Sequence, residues 1–161
     1  QDKKINISPK FFIDDLKRLD KELFNTNGED KTNYPFALIG RRHLRNNNSW
    51  LHNSKLLMKG KNRCTVLMCP KDANNLSITN HQKIRITSNV GSIELPVEIS
   101  DEMKEGVLSI PHGFGHNRQG TKIKLAEENA GESINDLTDD YNIDKLTGNV
   151  NFSGTRVKVN L

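Results

Sequence analysis

Between Lys83 and Ile99 the chain alternates so regularly that a strand pair with one buried face is the fold that satisfies it. Ile84 and Ile86 interleave with Lys83, Arg85 and Thr87, Asn89-Val90-Gly91 supplies the turn, and Ile93, Leu95, Val97 and Ile99 interleave with polar or proline positions. Further short apolar runs flank this hairpin. Phe36 to Ile39 ends at Gly40 and Arg63 to Met68 precedes Pro70, and both read as buried strands. Val107, Leu108 and Ile110 give another strand, and Val157, Val159 and Leu161 the last. A short helix is expected around Asp72 to Leu76. Strands this short and this numerous suit a closed barrel, which leaves no exposed sheet edge. The expected class is mainly β with short helices.

Ahead of the strands, Ser8 suits an N-cap and Pro9 a first helical position, and Phe12, Leu16, Leu19 and Leu23 repeat at helical spacing until Asn27-Gly28 stops them. Residues 1–33 therefore read as a connector helix and a polar loop, and residues 34–161 as the barrel. The chain starts at Gln1 and not Met, and the connector is expected to lead in from an upstream domain of a longer polypeptide. A chain of 161 residues suffices for one core. No stretch approaches the roughly 20 apolar residues of a membrane span, and no basic-then-apolar leader opens the chain. Cytoplasmic placement is expected, with the periplasm as the alternative. Cys64 and Cys69 lack the C-x-x-C spacing of a metal or redox pair and read as two free thiols.

Charge narrows the function. From Lys31 to Lys71 the chain carries nine basic residues and no Asp or Glu, so that segment is +9 and the remainder −5 within a net charge of +4. Cations held together in a fold repel one another unless something negative joins them, so a polyanion is the expected partner. The densest part is Gly40-Arg41-Arg42-His43-Leu44-Arg45-Asn46-Asn47-Asn48-Ser49-Trp50-Leu51-His52-Asn53, directly after a strand. Gly40 permits a sharp turn or close backbone approach. Arg41, Arg42 and Arg45 offer forked donors that match phosphate oxygens. The loop's Asn, Ser and His residues add neutral donors and acceptors of the kind that read a heterocycle's edge.

Four segments together resemble the molybdopterin-dinucleotide-binding domain that closes formate dehydrogenase and nitrate reductase-like enzymes. They are Leu38 to Asn53, Asn62-Arg63-Cys64-Thr65, Pro111-His112-Gly113-Phe114-Gly115-His116, and Ser133-Ile134-Asn135-Asp136-Leu137-Thr138, in the family's order. The resemblance runs from about Tyr34 to Leu161. It implies a double-psi β-barrel of the aspartate decarboxylase-like kind, with six strands, and a bis(molybdopterin guanine dinucleotide) cofactor carrying Mo or W in the parent enzyme. Carried over by position, Arg41, Arg42, Arg45 and Asn47 would meet a pterin dinucleotide, with Ser49, Trp50 and His52 just behind. His112, Gly113 and His116 would form a second cofactor-facing loop, and Asn135 a third contact. Many relatives carry Lys after an aromatic near the carboxy end, whereas Ser153 follows Phe152 here. The metal-binding Cys, selenocysteine, Ser or Asp of such enzymes lies in an earlier domain. Alone, this piece is expected to be inert and free of cofactor.

Two other readings compete. A nucleic-acid-binding module would use the +9 segment and Trp50, yet aromatics are 6% of the chain and Trp50 stands alone in the loop. A zinc enzyme would use His112, His116 and Cys69, but no carboxylate base stands at a convincing spacing, and two glycines between the histidines oppose the helix that would align them. For Asp136, capping of a short helix is the expectation.

Overall fold

The computed structural model describes residues 4–24, with side chains as far as Lys21, and residues 32–161. The expected Asn27-Gly28 stop, most of the Asn25 to Asn33 loop and Lys31 lie outside the described residues. Six strands close into a barrel in the order β1-β5-β2-β4-β3-β6. They are β1 (Phe36–Arg41), β2 (Val66–Met68), β3 (Lys83–Thr87), β4 (Ser92–Ile99), β5 (Val107–Pro111) and β6 (Thr155–Asn160). The β1–β5 and β2–β4 pairs are parallel, and the other four contacts are antiparallel.

The β3–β4 hairpin follows the alternation: Ile84 pairs with Leu95 and Ile86 with Ile93, and all four are buried. Leu38, Val66, Met68, Val97, Leu108, Ile110 and Val157 complete the barrel interior. Two strands differ from their sequence reading. Ile39 is 36% exposed, because β1 alternates and turns only Phe36 and Leu38 inward. The strand expected from Arg63 begins at Val66 instead, since the Arg63 and Thr65 carbonyls accept hydrogen bonds from the Arg41 side chain, which forestalls a ladder partner.

Helix α1 (Lys10–Phe24) starts where the Pro9 carbonyl accepts from the Phe12 and Ile13 amides, at 3.0 and 3.3 Å. Its Phe11, Phe12, Ile13, Leu16 and Leu19 are 41–58% exposed. Helix α2 (Lys55–Met58) follows the basic loop, α3 is Pro70–Asn75 and α4 is Lys124–Glu128. The Cys69 thiol caps α3 by accepting from the Asp72 amide at 3.4 Å, and the Cys64 thiol meets the Glu132 amide and carbonyl. Both sulfurs are thus occupied separately, and both cysteines are free and buried. Burial pushes the Cys64 thiol up to about 11, which keeps it a protonated and unreactive group. Among the described residues no helix is long and apolar enough to cross a membrane.

Candidate functional site

The parallel β1–β5 pair sets the site. Gly40 lies opposite Ile110 and Arg41 opposite Pro111, so the segments that follow the two strands leave the same end of the barrel side by side. The His112 amide then donates to the Arg41 carbonyl at 3.3 Å. A one-turn 3-10 helix, Ile134–Leu137, brings Asn135 to the same end. Between these segments lies a cavity of about 370 Å³ lined by Gly40, Arg42, His112, Asn135, Thr138 and Phe152 among others. Ser153 is on its wall. A second cavity of about 560 Å³ shares Arg42 and His112 and adds His43, Asn46, Asn47 and Asn48.

Arg42 is the hinge between the two cavities. Its Nη1 donates to the Asn48 side-chain oxygen and stands 2.8 Å from His112 Nε2. A guanidinium only donates, so His112 Nε2 is the acceptor and the ring is neutral. Partial burial and the Arg42 charge hold His112 below the ordinary histidine range, which agrees with that assignment. Asn48 and His112 come from loops 64 residues apart, and backbone contact fixes them together: a Cβ on Gly113 would sit 1.6 Å from the Asn48 carbonyl oxygen. Asn47 and Asn48 turn the chain with φ of 41° and 64°, a left-handed conformation that asparagine tolerates better than most residues.

The remaining predicted residues divide by partner. Arg41 points back into the barrel wall, donating to the Ser109 carbonyl at 2.5 Å and to the Thr65 carbonyl and hydroxyl at 2.9 Å. Thr65 passes the chain on to Glu98 at 3.1 Å, so the half-buried cation has an anion behind it. Arg41 lines the smaller cavity while serving as a staple of the strands. Arg45 is exposed and reaches the Lys59 carbonyl. Ser49 precedes the 3-10 turn Trp50–Asn53 without a side-chain cap bond, and Trp50 is 82% exposed. Neither Arg45, Ser49 nor Trp50 lines the two cavities.

His52 is fully buried, with its Nδ1 2.7 Å from His116 Nε2 and its ring 4.4 Å from that of Phe114. Desolvation, with His116 next, pulls His52 from 6.5 to about 4. His52 Nε2 has no partner, so the tautomer that leaves it a bare lone pair costs less than one burying an unpaired N–H. His52 therefore donates from Nδ1, and His116 accepts at Nε2. The Gly113 backbone then takes the other His116 proton. The two rings thus strap the glycine loop to the Trp50–Asn53 turn, while His112 pairs with Arg42. His112 and His116 have separate partners, and among the described residues no group of three His, Cys, Asp or Glu side chains could hold a metal. Asp136 departs from its expected capping role: it sits inside the 3-10 turn and its carboxylate pairs with Arg118.

Sequence reasoning did not single out Asn46, Asn48 and Thr138 as site residues. Asn48 was hidden because its role depends on Gly113, far along the chain.

The family model for the molydopterin dinucleotide binding domain matches residues 36–156. The chain belongs to this family. No curated protein matches it. Among solved structures, acetylene hydratase from Pelobacter acetylenicus is similar at 24% identity with a TM-score of 0.63, over 84% of this chain and 19% of that one. At that identity the likeness is one of fold. For this molydopterin dinucleotide binding domain, the match spans about a fifth of the length of acetylene hydratase.

Proposed function

We propose that this domain caps one side of a bis(molybdopterin guanine dinucleotide) in a larger oxidoreductase, with the Arg42 cavities as the seat of a pterin dinucleotide. The observation that carries this reading is the convergence of three separate sequence segments, through Arg42, His112 and Asn135, on one cavity at the end of β1 and β5. The donor set fits the group. Arg42 offers its remaining N–H donors to phosphate oxygens, the exposed Asn135 amide offers a donor and an acceptor to a heterocycle, and Gly40 admits close backbone approach, with the nearest side-chain atom 3.9 Å from where a Cβ would be. When bound, the group supplies redox chemistry at Mo or W; the protein supplies binding, orientation and electrostatics. Arg42 and Asn135 hold and orient, and neutral His112 fixes the direction of the Arg42 fork. No step in this chain moves a proton to substrate, and the isolated domain has no turnover in this reading.

The finer parts of the reading have their own support. The two parallel pairs in a six-stranded closed barrel favour a double-psi topology. The exposed apolar residues of α1 favour contact with other domains of the same polypeptide. A cytoplasmic setting is part of the proposal and accords with two free thiols.

The test is calorimetric titration of the 161-residue chain with GDP, inorganic pyrophosphate and single-stranded DNA. GDP is expected to bind weakly, because the rest of the cofactor envelope is missing. Arg42→Ala should weaken GDP at least tenfold, and Lys124→Ala should not change it. DNA binding tighter than GDP, unaffected by Arg42→Ala, would replace this reading with nucleic-acid binding.

A further inference from the structure

Asn46 carries an amide that the protein's own contacts leave unused. Its backbone is fully engaged, donating to the His43 carbonyl and accepting from the Leu51 amide, at 3.0 and 3.2 Å. Its side chain is 1% exposed, and neither the amide nitrogen nor the amide oxygen has a hydrogen-bond partner. Buried polar groups in native proteins are almost always paired, so an orphaned amide needs a reason. It is among the residues that line the larger cavity, together with Arg42, His112, Leu44 and Leu51.

We propose that Asn46 is a base-recognising residue of this cavity, its amide pairing with the edge of a nitrogen heterocycle whose phosphates lie toward Arg42. An amide presents a donor and an acceptor about one base-edge spacing apart, and such two-point contacts to a heterocycle recur wherever asparagine reads a base. Because the amide can turn over, it accepts either polarity: guanine and pterin share one 2-amino-4-oxo edge, and adenine offers the reverse. The leucines provide a face against which the ring can lie. The two amide atoms are closed off from bulk solvent, so ring entry requires the turn at Asn47 and Asn48 to give. In that state the amide is a stability cost that binding removes. This inference rests on the dinucleotide reading above and adds to it a ligand edge and a residue.

The experiment pairs binding with melting for the 161-residue chain and its Asn46→Leu variant, which keeps the branched shape of the side chain and removes the orphaned polar atoms. In the parent chain GDP and ADP should each bind at least tenfold more tightly than inorganic pyrophosphate. In Asn46→Leu all three should bind alike, at the pyrophosphate level, while the ligand-free variant melts about 3 °C higher. Two results overturn the role of Asn46 alone: a nucleotide preference that survives the substitution, or a variant that melts lower, which would mean that a bound water already pairs the amide. If neither nucleotide nor pyrophosphate binds the parent chain, the dinucleotide reading falls and this inference with it.

Discussion

At residue scale the site is decided by which polar groups are already spent. Arg41 and Arg42 are neighbours in sequence and alike in chemistry, yet Arg41 gives its fork to Ser109 and Thr65 whereas Arg42 stands between two cavities. The end of β1 is the cause: Arg41 is the last residue of the strand, held opposite Pro111 and beside the acceptors of the barrel wall, and Arg42 is the first residue beyond it. Arg41→Ala should therefore lower stability by about 3 kcal/mol, by orphaning buried carbonyls, and its effect on ligand is read only after that loss is accounted for by urea denaturation. His52 gives a second prediction. Its ordinary value of 6.5 falls to about 4 in the fold, so between these values the unfolded chain binds more protons than the native one. Stability then falls as pH drops through that window, approaching a loss of about 3 kcal/mol near pH 4, and the stability is fully present above pH 6.5. Nitrogen-15 spectra of the imidazoles should show His52 neutral at pH 6 with its proton on Nδ1; a charged His52 at that pH would refute the strap. The Arg-rich loop stood out in sequence as a candidate anion site because residue type announces it. The separate fates of Arg41, Arg42 and Arg45 were not, because they depend on which acceptors the distant strands present.

Elements were more legible than residues wherever one face alone is buried. Alternation placed β3 and β4 correctly because their outward sides carry Lys83, Arg85 and Glu94, which pair with one another across the hairpin. The apolar-run reading misled at Arg63 to Thr65, where Cys64 and Thr65 are buried but the Arg63 and Thr65 carbonyls serve a side chain and not a neighbouring strand. The two 3-10 turns and α4 are too short to leave a period in the sequence, although they position His52 and Asn135. What joins these elements into one site is the contact of the Pro111–His116 loop with the Asn46–Ser49 turn. Gly113→Ala tests it. The new Cβ would overlap the Asn48 carbonyl at 1.6 Å, whereas Gly120, also at positive φ, has open space around it. Gly120→Ala should cost about 1 kcal/mol from backbone conformation alone, and Gly113→Ala about 3 kcal/mol or more. Equal urea midpoints for the two variants would show that the loops do not depend on that approach.

For the molecule as a whole, the barrel serves as a rigid frame whose one end gathers loops from three parts of the chain. The β1–β5 register holds two of them adjacent, and the 3-10 turn at Asn135 closes the third side. Arg41 and Arg42 put positive charge at this end, which raises the local concentration of an anionic ligand, an effect that salt screens over about 10 Å at 0.1 M. Fold class and family were legible because short alternating strands and four ordered motifs survive in the sequence; the cavity's shape was not, because it exists only where separated loops meet. The most direct test of the central claim is to map the amide and side-chain resonances of the 161-residue chain as GDP is added. The account predicts shifts at Arg42, Asn46 to Asn48, His112 to His116 and Asn135, fading as salt rises, with α3 unmoved. Shifts spread over Lys59 and Lys61 while Arg42, His112 and Asn135 stay still would contradict it.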